Sequence, residues 1–259
     1  MTQNERLLWL IKYLLSERQD SGSVSVPYSD EEKFQLYRSL VNIRPPQPVT
    51  NEYLKMQDEY LQELSKDRGI VRLSNTECMG GNLYLWQGDI TRLAADGIVN
   101  AANSRMLGCF HPCHYCIDNC IHTFAGIQLR DECNRLIAEQ GHEEPTGQAK
   151  ITRGFNLPAK RILHTVGPII SGRLEKSQEY ELASCYKNCL TLAAENGLGS
   201  VAFCCISTGV FGFPQERAAE IAIDTVKRYK PKGMKVILNV YKSEDERRYR
   251  KLLSAQTGA

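Results

Sequence analysis

From Leu83 onward, short apolar runs alternate with longer stretches of helical periodicity, and this alternation constrains the fold more than any other feature of the sequence. The apolar runs predict strands at residues 83–86, 97–100, 151–153, 162–166, 201–205 and 236–240, and the stretches between them predict helices at 118–139, 179–195, 215–229 and 243–253. Alternating strands and helices form a sheet with parallel pairs and helices on both faces. The sequence therefore predicts an α/β fold with a mixed, largely parallel central sheet.

The first 70 residues contain no strand candidate and show three amphipathic helical stripes instead. A serine or threonine followed three residues later by glutamate, the spacing of a capping box, opens the first two helices, and the third is predicted at 51–64. Helices this short are marginal alone, so their apolar stripes must pack on something. We therefore divide the chain into an N-terminal helical extension, residues 1–70, and a main domain, residues 71–259, and interpret the extension as a structural appendage.

Composition excludes several classes of protein. The net charge of +2 is too small for binding nucleic acid or an anionic membrane through a broad electrostatic surface. No apolar stretch reaches the roughly 18 residues that would span a bilayer. Five of the ten cysteines crowd into residues 109–133, in a chain too large to need a disulfide framework. We therefore expect reduced thiols and a cytoplasmic location, with neither nucleic acid nor membrane as a partner.

The loop after the strand at 201–205 is rich in small residues. In open parallel sheets, ligands bind in the loops that follow the carboxyl ends of the strands. Here the chain reads Ile-Ser-Thr-Gly-Val-Phe-Gly-Phe-Pro over residues 206–214, and its two glycines let successive amide groups converge on an anion such as a diphosphate. A loop of this kind is more often a plain connection, so both interpretations are open at this point.

The loop after the strand at 97–100 carries three cysteines and two histidines within residues 109–116. Thiolate and imidazole groups are the ligands that zinc prefers. A zinc finger would need a second ligand pair roughly 12 to 20 residues further on, and Cys133 and His142 do not form one. A site with all its protein ligands in one short loop is short of four, and an open coordination position is typical of catalytic zinc. The spacing alone does not show which of the five side chains bind.

Six motifs in order resemble the macrodomain family, close to its MacroD-type hydrolases, over residues 83–242. They are Gly88-Asp89-Ile90-Thr91, Asn100-Ala101-Ala102-Asn103, Ile117-Asp118-Asn119-Cys120-Ile121-His122, Thr146-Gly147-Gln148-Ala149, His164-Thr165-Val166-Gly167-Pro168 and Ser207-Thr208-Gly209-Val210-Phe211-Gly212. The resemblance implies a three-layer α/β/α macrodomain for residues 71–259.

MacroD-type proteins carry a run of glycines where this chain has residues 109–116. That difference resembles the bacterial and fungal zinc-dependent macrodomains, which also have a helical N-terminal extension. Their ligand pattern is Cys, four residues, His, one residue, Cys. It implies one zinc ion per chain, bound by Cys109, His114 and Cys116, with His111 and Cys113 as bystanders.

The resemblance also implies ADP-ribose as the ligand. Asp89 would accept a hydrogen bond from the adenine amino group, the Ile90 amide would meet the ring, and Asn103 would hold the distal ribose. Two backbone segments would hold the diphosphate, one of them at a helix N-terminus. They consist of Ile117, Asp118 and Asn119 in the first segment and of Ser207, Thr208, Gly209, Val210 and Phe211 in the second.

The implied activity is the removal of mono-ADP-ribose from modified protein side chains by hydrolysis at the distal ribose. The catalytic residues would be Asn103, Asp118 and Cys116, with Asp118 as general base and zinc orienting the ribose. Helix capping would also explain Asp118, and turn or cap chemistry would explain Asp89. The alternatives are an ADP-ribose reader without catalysis and an O-acetyl-ADP-ribose deacetylase. The implied partners are a sirtuin-type ADP-ribosyltransferase and a mono-ADP-ribosylated protein, for which a lipoylated carrier protein is one candidate.

Overall fold

A computed structural model describes residues 1–18 and 24–255. The helices within these ranges are α1 Gln3–Ser16, α2 Asp30–Ile43, α3 Asn51–Asp67, α4 Ile117–Ala125, α5 Ile127–Gln140, α6 Lys176–Glu195, α7 Gln215–Tyr229 and α8 Ser243–Ala255. The strands are β1 Glu77–Gly80, β2 Leu83–Gln87, β3 Gly97–Ala102, β4 Ala149–Arg153, β5 Arg161–Val166, β6 Ser200–Phe203 and β7 Lys235–Val240. Across the described ranges, no helix combines the length and the apolar character needed to cross a membrane.

The strands form one sheet in the order β1-β2-β7-β6-β3-β5-β4. The four inner pairings, from β2 through β7, β6 and β3 to β5, are parallel, whereas the edge strands β1 and β4 are antiparallel to their neighbours. Helix α7 contacts both α6 and α8; α6 and α8 also contact strands of the sheet, as do α4, which contacts β3, and α5, which contacts β4. The predicted three-layer α/β/α architecture with a mixed, largely parallel sheet is confirmed.

The largest differences between the predicted and the observed elements are one unpredicted strand, one strand that ends earlier and one helix that is divided. Strand β1 was not predicted, because its side chains are mostly exposed and show no apolar alternation. The strand predicted to reach residue 205 ends at Phe203. The single helix predicted at 118–139 is two helices, α4 and α5, which are separated by Gly126. Gly126 has a φ of 99°, and a Cβ there would lie 2.6 Å from the side-chain amide of Gln57, so the chain turns where only glycine fits.

The extension has an apolar core of its own. The predicted capping box of α1 is complete, with the hydroxyl of Thr2 and the carboxylate of Glu5 each accepting from the other residue's backbone amide. In α2 only the Ser29 half of the box forms. The inward stripes of α1, α2 and α3 then bury a cluster that the core of the sheet does not share, and Ile127 of α5 is the buried residue that joins it from the main domain.

A buried glutamine connects the extension to the start of α5. Gln57 of α3 is fully buried; its side-chain oxygen accepts from the backbone N–H of Ile127 at 3.0 Å, and its nitrogen donates to Gln128 at 2.6 Å. The first amides of a helix have no partner within the helix, so Gln57 satisfies a donor of α5 that would otherwise be orphaned.

We expect Gln57→Leu to lower the free energy of unfolding by about 1–3 kcal/mol, because it leaves the buried N–H of Ile127 without an acceptor. The measurement is urea denaturation followed by circular dichroism. Lys55→Leu, at an exposed position of the same helix, is the control and should change stability by less than about 0.5 kcal/mol. Equal effects of the two substitutions would contradict this account.

Candidate functional site

The two loops singled out in the sequence lie together at the carboxyl edge of the sheet. Strands β3 and β6 are parallel neighbours, so the segments that follow them leave the sheet at the same edge. The loop after β5 joins them there, because a Cβ added to Gly167 would lie 2.1 Å from the hydroxyl of Ser207. The backbone N–H of Ile170 also donates to Phe211 at 2.8 Å. The loops predicted to bind the ligand are therefore neighbours at this edge.

Cys109, His114 and Cys116 are brought together by the loop between β3 and α4. One ligand atom from each lies within 4.8 Å of the other two, and the Cys109 Sγ to His114 Nδ1 distance is 3.5 Å. Cys116 is the N-cap of α4, and its Sγ accepts from the backbone N–H of Asn119 at 3.4 Å. All three side chains are half-buried.

The other two candidate ligands in the loop point elsewhere. The Sγ of Cys113 donates to the backbone oxygen of Gln35 in α2 at 3.2 Å, and its backbone N–H donates to the side chain of Asn42 at 2.9 Å. His111 is exposed, and its ring lies near the carbonyl of Pro112. Neither belongs to the group of three donors.

The donor set fits zinc. In a tetrahedral site with Zn–S near 2.3 Å and Zn–N near 2.0–2.1 Å, a sulfur and a nitrogen ligand lie about 3.6 Å apart; the separation of Cys109 and His114 is 3.5 Å. Burial raises the pKa of the Cys116 thiol to about 12. A thiol so placed becomes a thiolate when a cation coordinates it, which is what zinc does to its cysteine ligands.

Asp118 lies in the first turn of α4, but its side chain does not cap the helix. It is 5% exposed, and its two oxygens accept from the side-chain amides of Asn100 at 2.8 Å and Asn103 at 3.2 Å. The Nε2 atom of His122 lies 3.6 Å away. Burial raises the pKa of Asp118 to about 6. The carboxylate is therefore held by the end of β3 rather than used for local helix capping.

Next to Asn100 lies a buried histidine, His164, which belongs to the fifth motif but for which the sequence predicted no role. The side-chain nitrogen of Asn100 lies 3.1 Å from His164 Nδ1, and His164 Nε2 lies 2.8 Å from the hydroxyl of Thr152. Burial lowers the pKa of His164 to about 3, so the ring is neutral. With Nδ1 accepting from Asn100 and Nε2 donating to Thr152, the ring orients the amide that holds Asp118.

Backbone amides at both predicted diphosphate segments are available for a ligand. In the described chain, no hydrogen bond uses the backbone N–H of Ile117, Asp118, Gly209, Val210 or Phe211. Of the two glycines in the loop, Gly212 takes a positive φ of 69° and Gly209 does not, while Ser207, a residue with a side chain, takes a positive φ of 64°. Among the described residues, the buried hydroxyl of Ser207 has no hydrogen-bond partner, and the hydroxyl of Thr208 donates to the backbone oxygen of Cys205 at 3.0 Å.

Asp89 is both a cap and one member of an ion pair. One oxygen accepts from the backbone N–H of Thr91 at 2.9 Å and from its hydroxyl at 2.7 Å, and the other accepts from the guanidinium of Arg68. The adjacent Ile90 is buried. The cap interpretation of Asp89 therefore holds in the structure, and each carboxylate oxygen keeps lone-pair capacity for a further donor.

Two arginines of the extension reach the site, and the sequence analysis missed both. Arg68, at the end of α3, lies with its guanidinium 3.6 Å above the ring of Phe124 in α4. Arg38 of α2 contacts the cysteine loop. The position of Arg38 in the sequence could have indicated its role. It falls four residues after Phe34 and three before Val41, so it lies on the apolar stripe of the helix, where a charged side chain is unusual.

The fold and the site together define an α/β/α protein whose two candidate ligand loops lie together at the carboxyl edge of its sheet. Residues 99–222 match the family described as Macro domain. A protein-ADP-ribose hydrolase of Treponema medium is 55% identical over 98% of this chain and 100% of its own. Two solved structures are similar. The Oceanobacillus iheyensis macrodomain with ADP is 35% identical with a TM-score of 0.63, covering 71% of this chain and 96% of that one. The Trypanosoma brucei macrodomain in complex with ADP-ribose is 27% identical with a TM-score of 0.64, covering 83% and 94%.

The chain therefore belongs to the macro domain family, in the branch of the protein-ADP-ribose hydrolases. This confirms the resemblance at the level of the family. The zinc-dependent subfamily, the ligand set, the site residues and the division at residue 70 stay predictions.

We expect the buried neutral His164 to make the protein less stable in acid. In the unfolded chain the histidine is protonated below its usual pKa of about 6.5, whereas in the folded protein His164 stays neutral until the pH falls to its pKa of about 3. Between these two pH values, each unit by which the pH is lowered should reduce the free energy of unfolding by about 1.4 kcal/mol because of this residue. His164→Gln should flatten the slope by that amount in urea denaturation at pH 4 to 7. His142→Gln, at an exposed position, should keep the wild-type slope; an unchanged slope in His164→Gln would refute the argument.

Proposed function

We propose that this protein hydrolyses the bond that joins mono-ADP-ribose to a modified protein side chain, and that the reaction requires one zinc ion bound by Cys109, His114 and Cys116. One observation carries the proposal: the three donors converge at the N-terminus of α4, two residues from a buried carboxylate that the end of β3 holds in place. The T. medium relative, named a protein-ADP-ribose hydrolase, and the T. brucei macrodomain in complex with ADP-ribose support the choice of substrate.

The chain's own residues bind ADP-ribose through its two ends and its middle. The free amides of α4 and of the glycine loop bind the diphosphate, favoured by the positive end of the helix dipole. Asp89 accepts from the adenine amino group with the lone-pair capacity that Thr91 and Arg68 leave. A negatively charged ligand therefore needs no large basic surface, in agreement with a net charge of +2.

At the distal ribose, Asn103 binds a hydroxyl group and Asp118 acts on the attacking water. The side-chain nitrogen of Asn103 is occupied by Gly108 and Asp118, and its oxygen accepts from Arg105, so a ribose hydroxyl binds by donating to the remaining lone pair of that oxygen. Asp118 takes a proton from the attacking water as general base. A zinc ion held by the three donors would orient and polarise the ribose at the reacting centre.

The substrate class in this proposal is a mono-ADP-ribosylated protein. A sirtuin-type transferase as the enzyme that installs the modification, a lipoylated carrier protein as the modified partner and a cytoplasmic location stay predictions of the resemblance. The two alternatives, a reader and an O-acetyl-ADP-ribose deacetylase, become outcomes of the assays below.

We expect Cys116→Ala to abolish both bound zinc and turnover, because it removes one of three protein ligands. Zinc content is measured by elemental analysis, and turnover by release of ADP-ribose from an automodified mono-ADP-ribosylated protein, with and without a chelator. Cys78→Ala, which removes an exposed thiol on β1, is the control and should keep zinc and activity. Full activity in zinc-free Cys116→Ala would disprove the zinc requirement.

We expect Asp118→Asn to lower kcat by about 100- to 10,000-fold, the range that general base catalysis contributes, while the Kd for ADP-ribose measured by calorimetry changes little. Asp67→Asn, at the exposed end of α3, is the control for removal of a carboxylate. Tight ADP-ribose binding without turnover in the wild type would identify a reader instead. Turnover of O-acetyl-ADP-ribose alone would identify a deacetylase.

A further inference from the structure

The loop that carries the three donors has almost no backbone hydrogen bonds of its own. Within residues 107–116, in the described part of the chain, the only backbone-to-backbone hydrogen bond runs from His114 to His111 at 3.2 Å. Cys113 takes a left-handed φ of 53°, which is uncommon for a residue with a side chain. Such a segment keeps one conformation only if groups outside it satisfy its amides and carbonyls.

Helix α2 of the extension supplies these groups, one residue per turn. The backbone oxygen of Gln35 accepts from the Sγ of Cys113, and the side chain of Asn42 accepts from the Cys113 backbone N–H. Between them, Arg38 donates from Nη2 to the backbone oxygen of His114 at 2.7 Å and to the side-chain oxygen of Asn119 at 2.9 Å.

Asn119 connects Arg38 to the other two donors, Cys109 and Cys116. Its side-chain nitrogen donates to the backbone oxygens of Cys109 at 3.2 Å and His111 at 3.0 Å, and its backbone N–H donates to the Sγ of Cys116 at 3.4 Å. Arg38 therefore contacts His114 directly, and it reaches Cys109 and Cys116 through one intermediate residue.

The burial of Arg38 gives this arrangement its energetic weight. The residue is 3% exposed, and no carboxylate in the described chain lies within ion-pair distance of its guanidinium. Its charge is stabilised by the His114 carbonyl, the Asn119 amide, the Cys120 sulfur at 3.5 Å and the ring of Tyr115 at 4.3 Å. A buried cation is costly unless its acceptors are in place. If the loop moved, the guanidinium would lose these acceptors, so the buried charge favours the loop conformation that provides them.

We infer that Arg38 is a positioning residue for the metal site: it fixes the peptide groups of His114 and Asn119, and so holds the three donors at zinc-binding separations before the metal arrives. This inference rests on the proposed zinc function. Through Arg38, the N-terminal extension would contribute to metal binding in the main domain. Groups behind a metal's ligands typically contribute 10- to 100-fold to metal affinity.

The test compares full-length wild type with Arg38→Met and Arg38→Lys. Zinc affinity is measured by competition with a chromogenic chelator, and ligand geometry by the visible absorption of the Co²⁺-substituted proteins. We expect Arg38→Met to bind zinc about 10- to 100-fold more weakly and to give weaker tetrahedral Co²⁺ bands. Arg38 reaches both acceptors from Nη2 alone, and lysine keeps the charge and one donor nitrogen but not the planar guanidinium that lies over the ring of Tyr115, so Arg38→Lys should be intermediate.

The matched control is Arg44→Met. Arg44 is an equally buried arginine of the extension, but its side chain donates to Glu17, Gln47 and Pro48 within the extension. We expect its removal to lower stability and leave zinc affinity and the Co²⁺ spectrum as in wild type. Equal zinc affinity in Arg38→Met and wild type, or equal weakening in Arg44→Met, would each overturn the inference. Absence of zinc binding by wild type itself would overturn the proposed function as well.

Discussion

The geometry of the site depends on the hydrogen bonds made by one buried side chain, the amide of Asn119. It is fully buried, and both its nitrogen and its oxygen are hydrogen-bonded, the nitrogen to the cysteine loop and the oxygen to the extension. A buried amide without partners costs free energy comparable to a lost hydrogen bond or more. The conformation that satisfies Asn119 is therefore strongly preferred, and that conformation brings Cys109, His114 and Cys116 together.

The sheet could be predicted from the sequence because its signal is local. Strands β3, β5 and β7 are apolar runs whose residues are almost all buried, as parallel strands between two layers must be. Strand β1 lacks that signal because it lies at the edge. The break between α4 and α5 was missed because apolar residues keep helical spacing across Gly126, with Ile121, Ala125 and Leu129 all buried on one side.

The site was predictable only where its residues are close in sequence. The donors of the cysteine loop lie within eight residues, and the resemblance to a family identified three of them. The contacts of Arg38 with His114 and of Arg68 with Asp89 join residues 76 and 21 positions apart. Spacing along the chain does not encode such pairs, since they depend on how the extension packs. His164 was hidden for a similar reason: it reaches Asp118 only through Asn100 on the neighbouring strand.

The contacts between α2 and the cysteine loop also bear on how such proteins can diverge. An extension exchanged between two relatives would have to bring acceptors and donors that match the recipient's loop, or a buried guanidinium would lose its partners. The unit whose residues must match one another is therefore not a continuous stretch of chain. It is a helix near the N-terminus together with a loop some 70 to 80 positions later, and substitutions in one restrict those that the other can accept.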